Sequence, residues 1–340
     1  MSAKFFMGQH SLQKSVLASA LLFGASLAMA TDAEITPAQM VNAIEDVFGI
    51  TPGERRNHIK GTCASGEFVG IPKAAQVYSK SALFSGKAVP VVARFSLAGG
   101  NAQTPDVAKS PRGMALEFRL PKTEVQHMTM LNVPIFGAAQ PRTFFDLMVA
   151  SKPDPITGKP DPEKIKAFQE SHPDSRAMGD FMAQNNPPVS YANSTYFGIH
   201  TFRFVNRKNK STMVRWRFVP QDGEKKLSDG ELKSMPSNFL EQALIARTKQ
   251  SPLRWDMVIA LGEPGDSVDD PTLAWPANRK TVKVGTLTIT SAISQVGAEC
   301  EKINFDPLVM SDGIAPTDDP ILLFRSPAYA TSFAKRMGGS

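Results

Sequence analysis

Eight short segments of extended character recur along this chain, near residues 66–71, 89–98, 113–120, 126–133, 199–205, 212–218, 254–262 and 280–290. Clusters of Gly, Pro, Asn and Asp lie between many of them. A strand left at a sheet edge exposes a row of unpaired N–H and C=O groups. Eight strands can remove every edge by closing into a barrel. In the last segment Val282 and Val284 alternate, and Leu287 and Ile289 continue one residue out of phase after Gly285, as at a bulge.

Helical stretches interrupt the strands. Thr36-Pro37 reads as an N-cap followed by proline at the first helical position, and Met40, Val41, Ile44, Val47 and Phe48 share one face. Further helices are expected near 141–151, 162–171, 174–185 and 236–249, and from Asp318 to Met337. Pro327 should bend the last of these. The order of elements predicts one α+β domain built on an eight-stranded antiparallel barrel with surrounding helices.

The first thirty residues read as a secretory signal. Lys4 and Lys14 precede an apolar run from Val16 to Ala30 that ends Ala28-Met29-Ala30. Residues 1–30 are then removed, and 31–340 form the exported domain, periplasmic in a bacterial envelope. No later segment is apolar enough to insert stably in a bilayer. The 38 Lys+Arg against 32 Asp+Glu are scattered, with no aromatic interleaving, which gives no nucleic-acid footprint. Two cysteines exclude a disulfide-rich scaffold and a cysteine zinc site. Export permits a bond between Cys63 and Cys300 without requiring it.

Histidine is scarce: beyond the signal there are His58, His127, His172 and His200. His127 in a strand and His172 at a helix end suit structural roles. His58 lies in Arg55-Arg56-Asn57-His58-Ile59-Lys60-Gly61, where neighbouring cations favour a neutral, proton-accepting imidazole. A histidine of a solvated surface loop is the plainer reading. Arg325 and Tyr329 stand one helical turn apart, and Phe333 and Arg336 extend that face. Tyrosine ionises near pH ~10, and a guanidinium beside it stabilises the phenolate, a hard anionic ligand. A surface packing pair is the commoner use of that spacing.

Six fragments occur in one order: Arg55-x-x-His58-x-Lys60-Gly61, Val92-Ala93-Arg94-Phe95-Ser96, Pro111-Arg112-Gly113, Leu131-Asn132-x-Pro134-x-Phe136, Tyr196-Phe197-Gly198-Ile199-His200-Thr201-Phe202 and Arg325-x-x-x-Tyr329. The series resembles the haem-dependent catalases over about residues 50–336. The short length and the signal are similar to the catalase-related peroxidases. The resemblance implies haem b against an eight-stranded barrel without the long C-terminal region of full-length catalases. It makes Tyr329 the iron ligand, kept ionised by Arg325, with Asp319 and His200 holding that arginine. It makes His58 the peroxide acid–base group, Asn132 an amide that polarises the peroxide, and Ser96 the residue that orients His58. Phe145 matches the ring stacked on the haem, and Arg55, Arg94 and Arg336 match the arginines that bind its propionates.

Three departures bear on the reaction. Asn57 stands where catalases usually carry valine, and could bond to His58. A threonine fills this place in the coral allene oxide synthase relative. Ser110 replaces a usual channel aspartate and Ala98 a usual channel valine. A smaller, less charged channel should admit bulkier peroxides. The expected partners are therefore an organic peroxide and a small organic electron donor, with weak turnover of hydrogen peroxide. A true catalase, a fatty-acid hydroperoxide isomerase and a non-catalytic exported haem-binding protein are the alternatives.

Overall fold

The computed structural model describes Met1 and residues 34–339, so the expected signal sequence lies outside the described residues apart from Met1. Ten strands follow in chain order: β1 (Gly61–Gly70), β2 (Ala88–Leu97), β3 (Arg112–Arg119), β4 (Val125–Leu131), β5 (Tyr196–Phe197), β6 (Phe202–Val205), β7 (Ser211–Pro220), β8 (Leu253–Leu261), β9 (Thr281–Ser294) and β10 (Ile314–Pro316). Eight of them pair antiparallel in the order β7-β5-β4-β3-β2-β1-β9-β8, and β8 returns to β7 to close the barrel. The alternation slip near Gly285 is a bulge at Val284, between partners Met257 and Val258 on β8.

The segment expected as one strand over 199–205 is divided. β8 occupies one edge of β7 from Val214 to Pro220, so β5 and β6 share the other. Only β5 reaches onward to β4, through Leu131 and Phe197. The break falls where Ile199 takes φ +56°, costly for a β-branched residue, and where a Cβ on Gly198 would lie 2.5 Å from the indole nitrogen of Trp216. His200 sits in this break, aimed by it rather than by a regular strand.

Alternation fills the barrel. Met114, Leu116 and Phe118 of β3, Trp216 and Phe218 of β7, and Trp255, Met257 and Ile259 of β8 are buried at every second position. The ring of Phe95 lies 5.4–6.0 Å from those of Tyr191, Tyr196 and Trp255. Each such side chain contributes about 1.5–3 kcal/mol by burial. A filled interior leaves the outer face for ligands.

That outer face carries two cross-strand rows, Ser96–Gly113–Leu131 and Cys63–Arg94–Ala115–Thr129. Gly113 and Ala115 keep their centre low. Helices Pro37–Phe48, Pro141–Ser151 and Pro320–Met337 pack on one another and close a cavity against these rows. The first helix is started by a capping box between Thr36 and Gln39. The last runs through Pro327, which removes one hydrogen bond without ending the helix. Among the described residues, no helix is long and apolar enough to cross a membrane.

Candidate active site

His58 and Tyr329, 271 positions apart in the chain, line one cavity. His58 enters from the loop before β1. Its backbone is held in the left-handed region at φ +56°. Asn57 supports that conformation: its Oδ1 accepts from the amides of His58 (2.8 Å) and Gly99 (2.7 Å). The contact expected between Asn57 and His58 is thus made to the main chain, leaving the ring to Ser96. Nδ1 of His58 lies 2.9 Å from Ser96 Oγ. Gly113 makes room, since a Cβ there would fall 2.7 Å from that oxygen and 3.2 Å from the imidazole.

Burial, followed by the charges of Arg94, Arg325 and Arg55, pushes the pKa of His58 down to about 3. The ring is therefore neutral at pH 7. The shift also fixes a stability trend. An unfolded histidine titrates near 6.5, so below that pH the unfolded chain binds a proton the folded chain refuses. Stability is full above about pH 6.5 and falls as pH drops toward 3, by at most about 1.4 kcal/mol per pH unit from His58. Burial lowers the pKa of His200 as well, adding in the same sense. Denaturant midpoints of the cofactor-free chain should fall between pH 7 and pH 5, and His58→Gln should flatten that decline.

On the other wall the last helix presents Arg325 and Tyr329. Arg325 Nη2 donates to Tyr329 Oη (2.8 Å) and to Thr129 Oγ1 (2.8 Å). Its Nη1 donates to Nε2 of His200 (3.0 Å). An accepting Nε2 places the proton of a neutral His200 on Nδ1, which donates to Asp319 Oδ2 at 2.6 Å. The other oxygen of Asp319 caps the helix by accepting from Ile321 and Leu322. One carboxylate, 1% exposed, thereby starts the helix and anchors the relay that ends on the tyrosine.

Arg55, Arg94 and Arg336 also line the cavity. Arg336 Nη2 is buried with no hydrogen-bond partner among the described residues. Arg94 is held by Gln295 and by the carbonyls of His58 and Ile59. Burial and the neighbouring charges of Arg94 and Arg336 push Arg55 down to about 8. Three crowded guanidiniums beside an apolar wall fit an anionic, flat, mostly apolar ligand such as a dicarboxylate macrocycle.

The catalase family model matches residues 49–340. The chain belongs to the catalase family. A catalase-related peroxidase of Synechococcus elongatus is 58% identical over 305 residues, which cover 90% of each chain. One of Mycolicibacterium paratuberculosis is 33% identical over 307 residues, 89% of this chain and 96% of its own. The crystal structure of a fungal catalase superposes with a TM-score of 0.77 at 22% identity, covering 85% of this chain and 60% of that one. At that identity the shared feature is the fold.

Within this catalase-family site, three expected residues stand apart from the lining. Asp319 acts from behind His200. Asn132 is locked to Arg112, accepting from its amide at 2.7 Å and donating to its carbonyl at 2.9 Å. Phe145 does not reach the cavity; it lies under the Arg142 guanidinium at 5.8 Å, and Phe144 lines the wall instead. One residue is about 100° of helix, enough to exchange the two rings. The sequence reading missed Thr129, which lines the cavity, and the shared face of Met40, Val41 and Ile44 forms part of the cavity wall. His127 is structural, bonded to Glu117 (3.1 Å), and His172 stacks on Phe168 at 4.7 Å.

Proposed function

We propose that the chain is an exported haem peroxidase that reduces organic peroxides, and hydrogen peroxide weakly, with a small organic electron donor. The single observation that carries this is the facing of a neutral His58 and an arginine-held Tyr329 across one cavity. Catalase-related peroxidases at 58% and 33% identity support the reaction class. The residues fit haem b: Tyr329 Oη as iron ligand, and Arg55, Arg94 and Arg336 for its carboxylates. A bound haem would supply the electrons that break the peroxide O–O bond.

The chain's own residues manage the proton. With Nδ1–H donating to Ser96 Oγ, Nε2 of His58 takes the hydroperoxide proton and returns it to the departing oxygen, which leaves as water or an alcohol. Asn132 keeps its amide oxygen on Arg112, so only its Nδ2 is left as a donor, from a position behind the cavity lining. Asn57 holds the imidazole through the backbone without occupying the ring nitrogens. Ser110 Oγ is tied to Ala98 O (2.8 Å), so the two replaced channel positions form one small, neutral contact. That supports bulkier peroxides as substrates. The Cys63–Cys300 bond suits a periplasmic location.

The test is product analysis of the haem-loaded protein. Alkyl hydroperoxide should become the alcohol only when a phenolic donor is added. Conversion without donor would make the chain an isomerase. Rapid oxygen release from hydrogen peroxide would make it a catalase, and no turnover of either peroxide would make it a haem-binding protein.

A further inference from the structure

Arg55 owes its place at the cavity to one short turn. Its Nη2 donates to three carbonyls, those of Cys300 (3.0 Å), Glu301 (3.2 Å) and Ile303 (2.9 Å). These belong to the helical turn Glu299–Lys302 and the residue after it. Its Nε and Nη1 make no hydrogen bond among the described residues, which leaves them for a ligand. The same strand of chain continues into Asn304 and Phe305, both in the cavity wall.

The turn is fixed by sulfur. Cys300 is bonded to Cys63, with Cα atoms 5.6 Å apart and 237 residues between them in sequence. Cys63 lies on β1 directly opposite Arg94 of β2, in the outward row that floors the cavity. The bond is buried with Val92 and Phe305. The other polar side-chain ties on the turn are weaker. Glu299 pairs with Arg119 at the exposed surface, and such pairs contribute about 0–1 kcal/mol. Glu301 Oε2 accepts from Gly297, a contact within the same loop.

We infer that the Cys63–Cys300 bond is a positioning device for Arg55, so that the cavity binds an anionic macrocycle tightly only once the bond has formed. Arg55 is repelled by Arg94 and Arg336 and attracted by Glu54 and by Glu301 of the turn, and the three carbonyls of the turn and the residue after it are its side-chain hydrogen-bond partners. A turn released from β1 no longer presents those carbonyls in place. A guanidinium that must be reordered on binding gives up affinity that a preordered one retains. The inference rests on the haem reading of the site and adds to it a dependence on oxidation of the chain. The two cysteines act through Arg55 and touch no reactant.

Hemin titration of the cofactor-free full chain tests it, read by absorbance. The variants are Cys63→Ala with Cys300→Ala, Arg55→Ala, and the three together. Removing the cysteines should weaken hemin binding about tenfold, the scale of losing a residue that orients a ligand-binding group. In the Arg55→Ala background the same removal should cost nothing further. Iron-free protoporphyrin IX, which keeps the carboxylates and makes no bond to Tyr329, should show the same tenfold loss. Unchanged affinity without the cysteines would overturn the inference, as would a loss that persists without Arg55. If the alanine pair does not fold, Cys63→Ala with Cys300→Val refills the apolar pocket and replaces it. Failure of both pairs to fold would make the bond a general staple and would also overturn it. A wild-type chain that binds protoporphyrin but not hemin would sink the Tyr329 ligation and spare the role of Arg55. A wild-type chain that binds neither would overturn both.

Discussion

His58→Ala should lower kcat/KM for peroxide reduction by roughly 10²–10⁴-fold, the usual worth of a positioned general acid–base group. The haem absorption spectrum of the loaded protein should survive the change. The prediction follows from what surrounds the ring. Gly113 and Ser96 hold it on one side, and Asn57 fixes its backbone through two amides. None of these contacts bears on Tyr329, so cofactor retention and proton transfer separate. A structural histidine would give the opposite pattern, with lost stability and retained turnover in the surviving fraction. Stopped-flow rates at pH 7 decide it, and turnover within threefold of wild type would remove His58 from the mechanism. Over pH 5–8 the wild-type rate should show no step near 6.5, because the ring is already neutral throughout that range.

Tyr329→Phe should cost hemin affinity about 100-fold or more, beyond the range usual for losing a group that only supports a ligand. The substitution removes one oxygen and keeps the ring. Arg325 retains His200 (3.0 Å) and Thr129 (2.8 Å), so the helix keeps its anchor to the barrel. Thermal unfolding of the cofactor-free chain should therefore move little while the ferric spectrum changes or disappears. An unchanged spectrum and affinity would transfer the ligand role to another residue and dissolve the reading of the Arg325–His200–Asp319 relay.

The barrel was legible because its long strands bury every second side chain, a period that short windows of sequence display. β5 was not, since Tyr196 and Phe197 offer two residues and no period. Its neighbour β6 starts only after the turn at Gly198–Thr201, whose cause is a tertiary contact with Trp216. β1 begins five residues before its expected start at 66, because Gly61–Ala64 are buried at four successive positions and show no alternation. In the site, the spacing of Arg325 and Tyr329 put both on one helical face, and local geometry alone suffices for that. The partnership of Cys63 with Cys300, and of Arg55 with the turn beyond it, spans more than 230 residues, and nothing local encodes it. Phe144 and Phe145 differ only in helical phase, which depends on how the whole helix is rolled against its neighbours.

Asp319, Arg325, Tyr329 and Arg336 all sit on or at the start of one helix, and that helix follows every strand of the barrel. A chain made from its N-terminus therefore completes every strand, and His58, before the wall opposite exists. A product broken off before residue 319 has every strand and His58 but lacks Tyr329, the proposed iron ligand. On the proposed reading, the order of the segments in time acts as a quality check: the capacity to hold the cofactor is conferred last, and only on molecules that carry the closing helix.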